Sequence, residues 1–203
     1  RSQALAKVLI ADTAWGLVQP RKKQDLIELL NWIDSNSIPF AVIGWGSNLL
    51  CPDEDYEGLV IRLKHFEDKI ECLFEEDQSV SVHAGAGVGA SILIREAVKN
   101  GWGNVERLVG IPGSVGGMLV MNAGTHLGWI QDLVQSVELL RKENSKWIEI
   151  QYVPEAKDWT YRSALFVRPG DILIGATLKF SKLDPAYLEK KIRINDCRFS
   201  YKN

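Results

Sequence analysis

Four glycines fall within eight positions of Gly110-Ile111-Pro112-Gly113-Ser114-Val115-Gly116-Gly117, and Asn122-Ala123-Gly124 follows closely. Glycine adopts backbone angles that other residues avoid and has no Cβ to hold a ligand away, while proline fixes one dihedral. Glycines this dense point to a preformed cradle of backbone amides, and the group that suits such a cradle is a phosphate. A surface loop without ligand is the competing reading, because glycine and proline also punctuate ordinary turns. A second segment favours the cradle. Gly44-Trp45-Gly46-Ser47-Asn48 follows Pro39-Phe40-Ala41-Val42-Ile43, an apolar run short enough for a buried strand. Its turn sits where a parallel strand would end, which is where ligands collect. Ser47 and Asn48 can hydrogen-bond phosphate oxygens, although the same residues form turns and helix caps.

These two loops and a later Tyr161-Arg162-Ser163 resemble, in order and spacing, the flavin-binding part of the UDP-N-acetylenolpyruvoylglucosamine reductase (MurB) family of peptidoglycan synthesis. That family encloses the FAD pyrophosphate between a G-x-G-S-N loop, matched by Gly44, Trp45, Gly46, Ser47 and Asn48, and an I-P-G-x-V-G loop, matched by Ile111, Pro112, Gly113, Ser114 and Gly116, with Gly117 beside it. Gly85-Ala86-Gly87-Val88 is similar to a further glycine turn of the family, so Gly85 and Gly87 join the implied cofactor contacts. Asn122 and Gly124 match the opening of its N-A-G-x-x-G loop, and Tyr161 belongs to the same implied site. Arg162 matches the arginine that the family sets beside flavin and substrate, and is the implied catalytic residue. A guanidinium stays protonated and makes a two-pronged contact with a carboxylate or enolate that a lysine reproduces poorly.

The resemblance covers residues 8 to 180 and implies an α+β fold, the two-lobed FAD-binding domain of the vanillyl-alcohol oxidase/PCMH type. It implies FAD as cofactor, NADPH as electron donor and a nucleotide-sugar substrate whose enolpyruvyl double bond is reduced in the cytoplasm. The chain also departs from the family. Ala11-Asp12-Thr13-Ala14 stands where a G-G-P-A stretch is usual, and Asn122-Ala123-Gly124-Thr125-His126-Leu127-Gly128 carries one extra residue. Aligning the final Lys202-Asn203 with the family's G-S-x-F-K-N-P motif puts Phe199 at the proton-donating serine, with Ser200 one place late. In an extended segment these neighbours would face opposite sides. The family's catalytic glutamate has no counterpart here, so a flavin-binding homologue without reductase activity, acting as a binding or interaction module with a protein partner, is the alternative.

Composition narrows the classes further. With 203 residues, 46% hydrophobic content and a formal charge of −2, the chain is expected to be one globular unit or two small lobes without a nucleic-acid field. No apolar run approaches the roughly 20 residues of a membrane span, and no leader pattern is visible. Cys51, Cys72 and Cys197 are too scattered for a disulfide framework or zinc site and read as free thiols. His65, His83 and His126 show no metal spacing, and His83 fits the polar face of a strand. Gly85-Ala86-Gly87-Val88-Gly89-Ala90 also satisfies the dinucleotide-binding pattern of a Rossmann unit, with Glu106 at the distance of its acid, but no strand precedes that acid. Seven tryptophans are present, and one or two exposed ones would suit an interface.

The elements that must position these residues are legible in part. Leu26, Leu29, Leu30 and Ile33 keep helical spacing, and Ile92, Leu93, Ala97 and Val98 approach it before Gly101 ends the run. Runs at 59–63, 80–84, 134–140, 147–150 and 172–180 read as strands. The change in character near residue 63 suggests a βαβ-like first lobe over 1–63 and a strand-rich second lobe over 64–183, with ligand between them. Residues 184–203 are then expected to open a missing or degenerate substrate domain.

Overall fold

Parallel strands need a crossover, and the first part of the chain supplies one. The computed structural model describes residues 14–49 and 55–200, with side chains to residue 193. Ala11 to Thr13, Cys51, Tyr201 to Asn203 and the side chains of Cys197, Phe199 and Ser200 therefore lie outside the described residues. β1 (Ala14–Val18) leads through α1 (Lys23–Ser35) to β2 (Phe40–Ile43), and β3 (Tyr56–Arg62) inserts between the two strands, parallel to both. α1 is helical because Leu26, Leu30 and Ile33 form one fully apolar stripe with no glycine or proline in the run. It stops at Asn36, and Ser37 turns the chain with φ of 51°.

β4 (Ile70–Glu75) and β5 (Ser79–Gly85) begin an antiparallel sheet, followed by α2 (Ala90–Asn100), β6 (Trp102–Gly103), a 3₁₀ turn at Val105–Leu108 and α3 (Val115–Val120). Then come the short strands β7 (Gly124–Thr125) and β8 (Gly128–Trp129), the long hairpin β9 (Val134–Glu143) and β10 (Lys146–Tyr152), the short pair β11 (Trp159–Thr160) and β12 (Ser163–Ala164), β13 (Ile172–Lys182) and α4 (Pro185–Ser200). The sheet order is β10-β9-β13-β5-β4, with β6 pairing a further stretch of β13. Every pairing in it is antiparallel. The five strand runs expected from the sequence are thus present within three residues of their limits.

Two apolar clusters hold the chain together. The larger packs the six-stranded sheet against α2, α3 and α4, and includes Leu93, Met118, Leu139, Leu178, Phe180 and Leu188. The smaller joins the two sheets: Leu26, Leu30 and Ile33 of α1 meet Ile61, Leu63 and Phe66 on one side and Leu140, Ile172 and Ile174 on the other. Polar contacts pin the same seam, where Trp147 Nε1 and Lys142 Nζ both reach the Asp34 carboxylate, at 2.8 and 2.7 Å.

Two expectations are corrected here. Phe199 and Ser200 lie at the end of a helix, not in an extended segment, and that helix seats Leu188 fully in the core with Ile192 beside it. The Rossmann reading fails on topology, since β5 is antiparallel to both neighbours where that fold needs parallel strands. Glu106 lies in the 3₁₀ turn and pairs with Lys191, not at a strand end facing a ribose.

Candidate functional site

The two glycine loops meet. Residues 44–48 leave the end of β2, and residues 110–114 run into α3, so each reaches the site from the end of a regular element. Their contact is reciprocal: a Cβ on Gly44 would stand 2.6 Å from Ser114 Oγ, and a Cβ on Gly113 would stand 2.6 Å from Ser47 Oγ. Each loop therefore uses a glycine to receive the other's serine. Gly46 and Gly113 also have φ of 78° and 110°, a region that favours glycine. Between the loops opens a cleft of about 430 Å³, lined by residues 44–48, 111–114, 116 and 117 together with Arg162. That volume lies in the range of small-molecule sites.

The donors that face this cleft can be identified by elimination. The first turn of α3 is already spoken for: Val115 N donates to Val88 O, Gly116 N to Ala86 O and Gly117 N to Ser114 Oγ. Ser114 pairs with Gly89 in a bridge whose bonds run through the flanking residues, Ala90 N to Gly113 O and Val115 N to Val88 O. In such a pair the residue's own N–H points away from the opposing strand. Among the described residues, the N–H groups of Gly46, Ser47, Asn48, Gly113 and Ser114 have no acceptor. Gly46, Ser47 and Gly113 are partly buried and Ser114 is buried, so their amides call for one, and such amides in two converging loops match the oxygens of a diphosphate.

Arg162 enters from the other side, on the two-residue turn between β11 and β12. Its φ of 60° is uncommon for a side chain of this size, so the turn presents the arginine in a strained backbone. The hairpin is anchored below by buried Asn122, whose Nδ2 donates to Thr160 O at 3.1 Å and Gln131 Oε1 at 2.6 Å. Tyr161 is largely exposed, packs edge-on against Trp129 and lies under the Arg162 guanidinium at 5.7 Å.

Five expected cofactor residues lie off the cleft lining: Gly85, Gly87, Asn122, Gly124 and Tyr161. Gly85 and Gly87 are packed so tightly against the 63–67 connection that a Cβ on either would collide with the Glu67 or Phe66 backbone. Their turn instead holds the site from behind, through the carbonyls that receive the α3 amides. Gly124 packs on Gly128 and Trp129 in the tight β7–β8 hairpin, which takes in the extra residue of that loop as the turn His126-Leu127. Trp45 bridges the groups: its Nε1 donates to Gly87 O at 3.2 Å, and Lys64 Nζ sits 5.4 Å from its ring centroid.

The sequence reading missed the apolar wall. Val42, Leu63, Met118, Val120, Met121 and Ile172 line the cleft, giving a flat aromatic ring a dry surface beside the polar cradle. Met118, Val120 and Met121 had one available signal, their position directly after the glycine loop. Leu63 and Ile172 had none, because core and cleft leucines look alike. Among the described residues that line the cleft, Arg162 is the cation, while Asp171 pairs with Arg141 at 2.7 Å.

The FAD binding domain family matches residues 15–151. UDP-N-acetylenolpyruvoylglucosamine reductase of Treponema denticola is 34% identical over 162 residues, covering 80% of this chain and 50% of that protein. The same enzyme of Syntrophobacter fumaroxidans is 43% identical over 127 residues, 61% of this chain and 36% of that one. The chain spans about half the length, or less, of these curated relatives. Among solved structures, UDP-N-acetylenolpyruvylglucosamine reductase (MurB) from Thermus caldophilus superposes with a TM-score of 0.73 at 28% identity, covering 94% of this chain and 63% of that one. A solvent-stable cholesterol oxidase shares the fold, with a TM-score of 0.67 at 17% identity over 83% of this chain and 35% of its own.

Proposed function

Because the chain belongs to the FAD-binding domain family, we propose that it carries the flavin of a reductase of the UDP-N-acetylenolpyruvoylglucosamine type, with NADPH as electron donor. The observation that carries this reading is the reciprocal contact of the two glycine loops around five unpaired amides. In it, residues 1–63 and 64–183 act as the two lobes of the site, and the cytoplasm, where nucleotide sugars are made, is its setting.

FAD, when bound, supplies the hydride chemistry. The residues of the chain would bind and orient it. The N–H groups of Gly46, Ser47, Asn48, Gly113 and Ser114 would hold the diphosphate oxygens, and the Ser47 and Asn48 side chains line the same cleft. The apolar wall excludes water from the ring. Arg162 would stabilise negative charge developing beside the substrate carboxylate, an interaction stronger in the transition state than in the ground state.

The test uses the purified chain loaded with FAD, mixed with NADPH without oxygen. The visible absorbance of the flavin should bleach, and UDP-N-acetylenolpyruvoylglucosamine should restore it poorly or not at all, because Phe199 stands in place of a proton donor. A flavin that NADPH leaves oxidised contradicts the assigned donor, and rapid reoxidation by this nucleotide sugar without oxygen contradicts the reading of Phe199.

A further inference from the structure

Arg62 ends β3 in a setting that stability alone does not explain. It is 7% exposed, yet among the described residues it has no carboxylate partner. Its Nε is buried with no hydrogen bond, and its Nη2 reaches only the Trp45 carbonyl, at a long 3.5 Å. Burying a cation this poorly satisfied is costly, and the cost falls when an anion comes near.

The loop that Arg62 touches is the one that bears the unpaired amides. The carbonyl of Trp45 and the N–H of Gly46 share one trans peptide plane and point in opposite directions. A guanidinium on that carbonyl therefore aims the Gly46 N–H away from Arg62, and Gly46 lines the cleft. It also polarises the peptide, which strengthens the N–H as a donor. The Trp45 side chain is fixed separately by Gly87 O and Lys64, so the carbonyl is the remaining handle on this peptide.

We propose that Arg62 is a positioning residue for the FAD diphosphate: it orients the Trp45–Gly46 peptide and places an uncompensated positive charge behind the phosphate loop. This rests on the diphosphate seat proposed above. A charged residue closing the apolar run Leu59-Val60-Ile61 was its one mark in the sequence.

The experiment titrates flavin-free protein with FAD, following flavin fluorescence, and melts the same apoproteins. Arg62→Met should weaken FAD at least about tenfold while the apoprotein melts at the wild-type temperature or above, since an apolar side chain replaces an unpaired buried cation. Arg62→Lys, which keeps the charge, should recover most of the loss. Wild-type FAD affinity in Arg62→Met overturns the proposal, whatever its melting temperature. If that variant does not fold, Arg62→Gln is read in its place, with the same loss expected and wild-type affinity again overturning it. Gly113→Val measured in parallel separates the two claims. If it loses FAD while the Arg62 variants keep it, the seat stands and the role of Arg62 falls; if all keep it, the seat is wrong.

Discussion

Arg162 occupies a backbone conformation that glycine or asparagine would adopt more cheaply, at a cost of roughly 1 to 2 kcal/mol for an ordinary side chain. The hairpin holds it there because Asn122 ties down Thr160 and Trp129 supports Tyr161. An arginine kept on a strained turn at the cleft mouth fits a role in chemistry more than in folding. Arg162→Lys should therefore retain FAD and, where wild type shows a measurable rate, slow enolpyruvate reduction at least about tenfold, or about 1.4 kcal/mol of barrier, in steady-state kinetics. An unchanged turnover number would remove the residue from the reaction. A second titratable pair lies away from the cleft, where His83 Nε2 and Glu138 Oε2 stand 3.3 Å apart and Gly175 leaves room for both. The Glu138 hydrogen bond holds the imidazole above its usual range against the opposing effect of burial, with Glu71 and Glu67 adding to the rise. His83 in turn holds the Glu138 carboxyl below its usual range. The stability from His83 is thus fully present below its unfolded pKa of about 6.5 and fades as pH rises through the folded value. The contribution from Glu138 is present above about pH 4.3 and fades on acidification. Wild type should melt higher than His83→Gln near pH 5.5, by about 1 kcal/mol or less of stability, and the gap should close by about pH 8.5. A gap that stays constant across that range would show that the pair is not ionic.

At the scale of elements, the glycine loops work by close approach. Valine at Gly46 or Gly113 adds a β-branched side chain where φ is 78° or 110°, and at Gly113 it also strikes Ser47. Either change should reduce FAD affinity by at least about a hundredfold in equilibrium titration, since it disturbs two or more charge-assisted hydrogen bonds. Full affinity in both variants would take the loops out of the site. The sequence showed these loops because their glycines are denser than a tight turn requires, and it showed α1 and α2 because their apolar spacing is regular. It hid α3, since Val115-Gly116-Gly117-Met118-Leu119-Val120 combines two poor helix formers with a β-branched start. The Ser114 cap is local, but the bonds to Val88 O and Ala86 O that complete that helix come from too far along the chain to be read from it. The same limit explains Gly85 and Gly87. Glycines that receive a neighbouring backbone and glycines that receive a ligand look identical in sequence, and only the 63–67 connection tells them apart.

On the scale of the whole molecule, a parallel three-stranded sheet and an antiparallel six-stranded sheet share α1 and its cluster, and the cleft lies where loops from both arrive. The change of character near residue 63 was visible because parallel β-α-β spacing gives way to close-set strands. What was not visible was that α1 packs on both sheets, since one apolar stripe can serve two partners. The central claim is that the FAD diphosphate sits between residues 44–48 and 110–114, and a crystal structure of the chain with FAD tests it most directly. The account predicts diphosphate oxygens within about 3 Å of the N–H groups of Gly46, Ser47 and Gly113, with the flavin ring against Met118 and Ile172. A diphosphate bound elsewhere, with those amides still facing solvent, would contradict it.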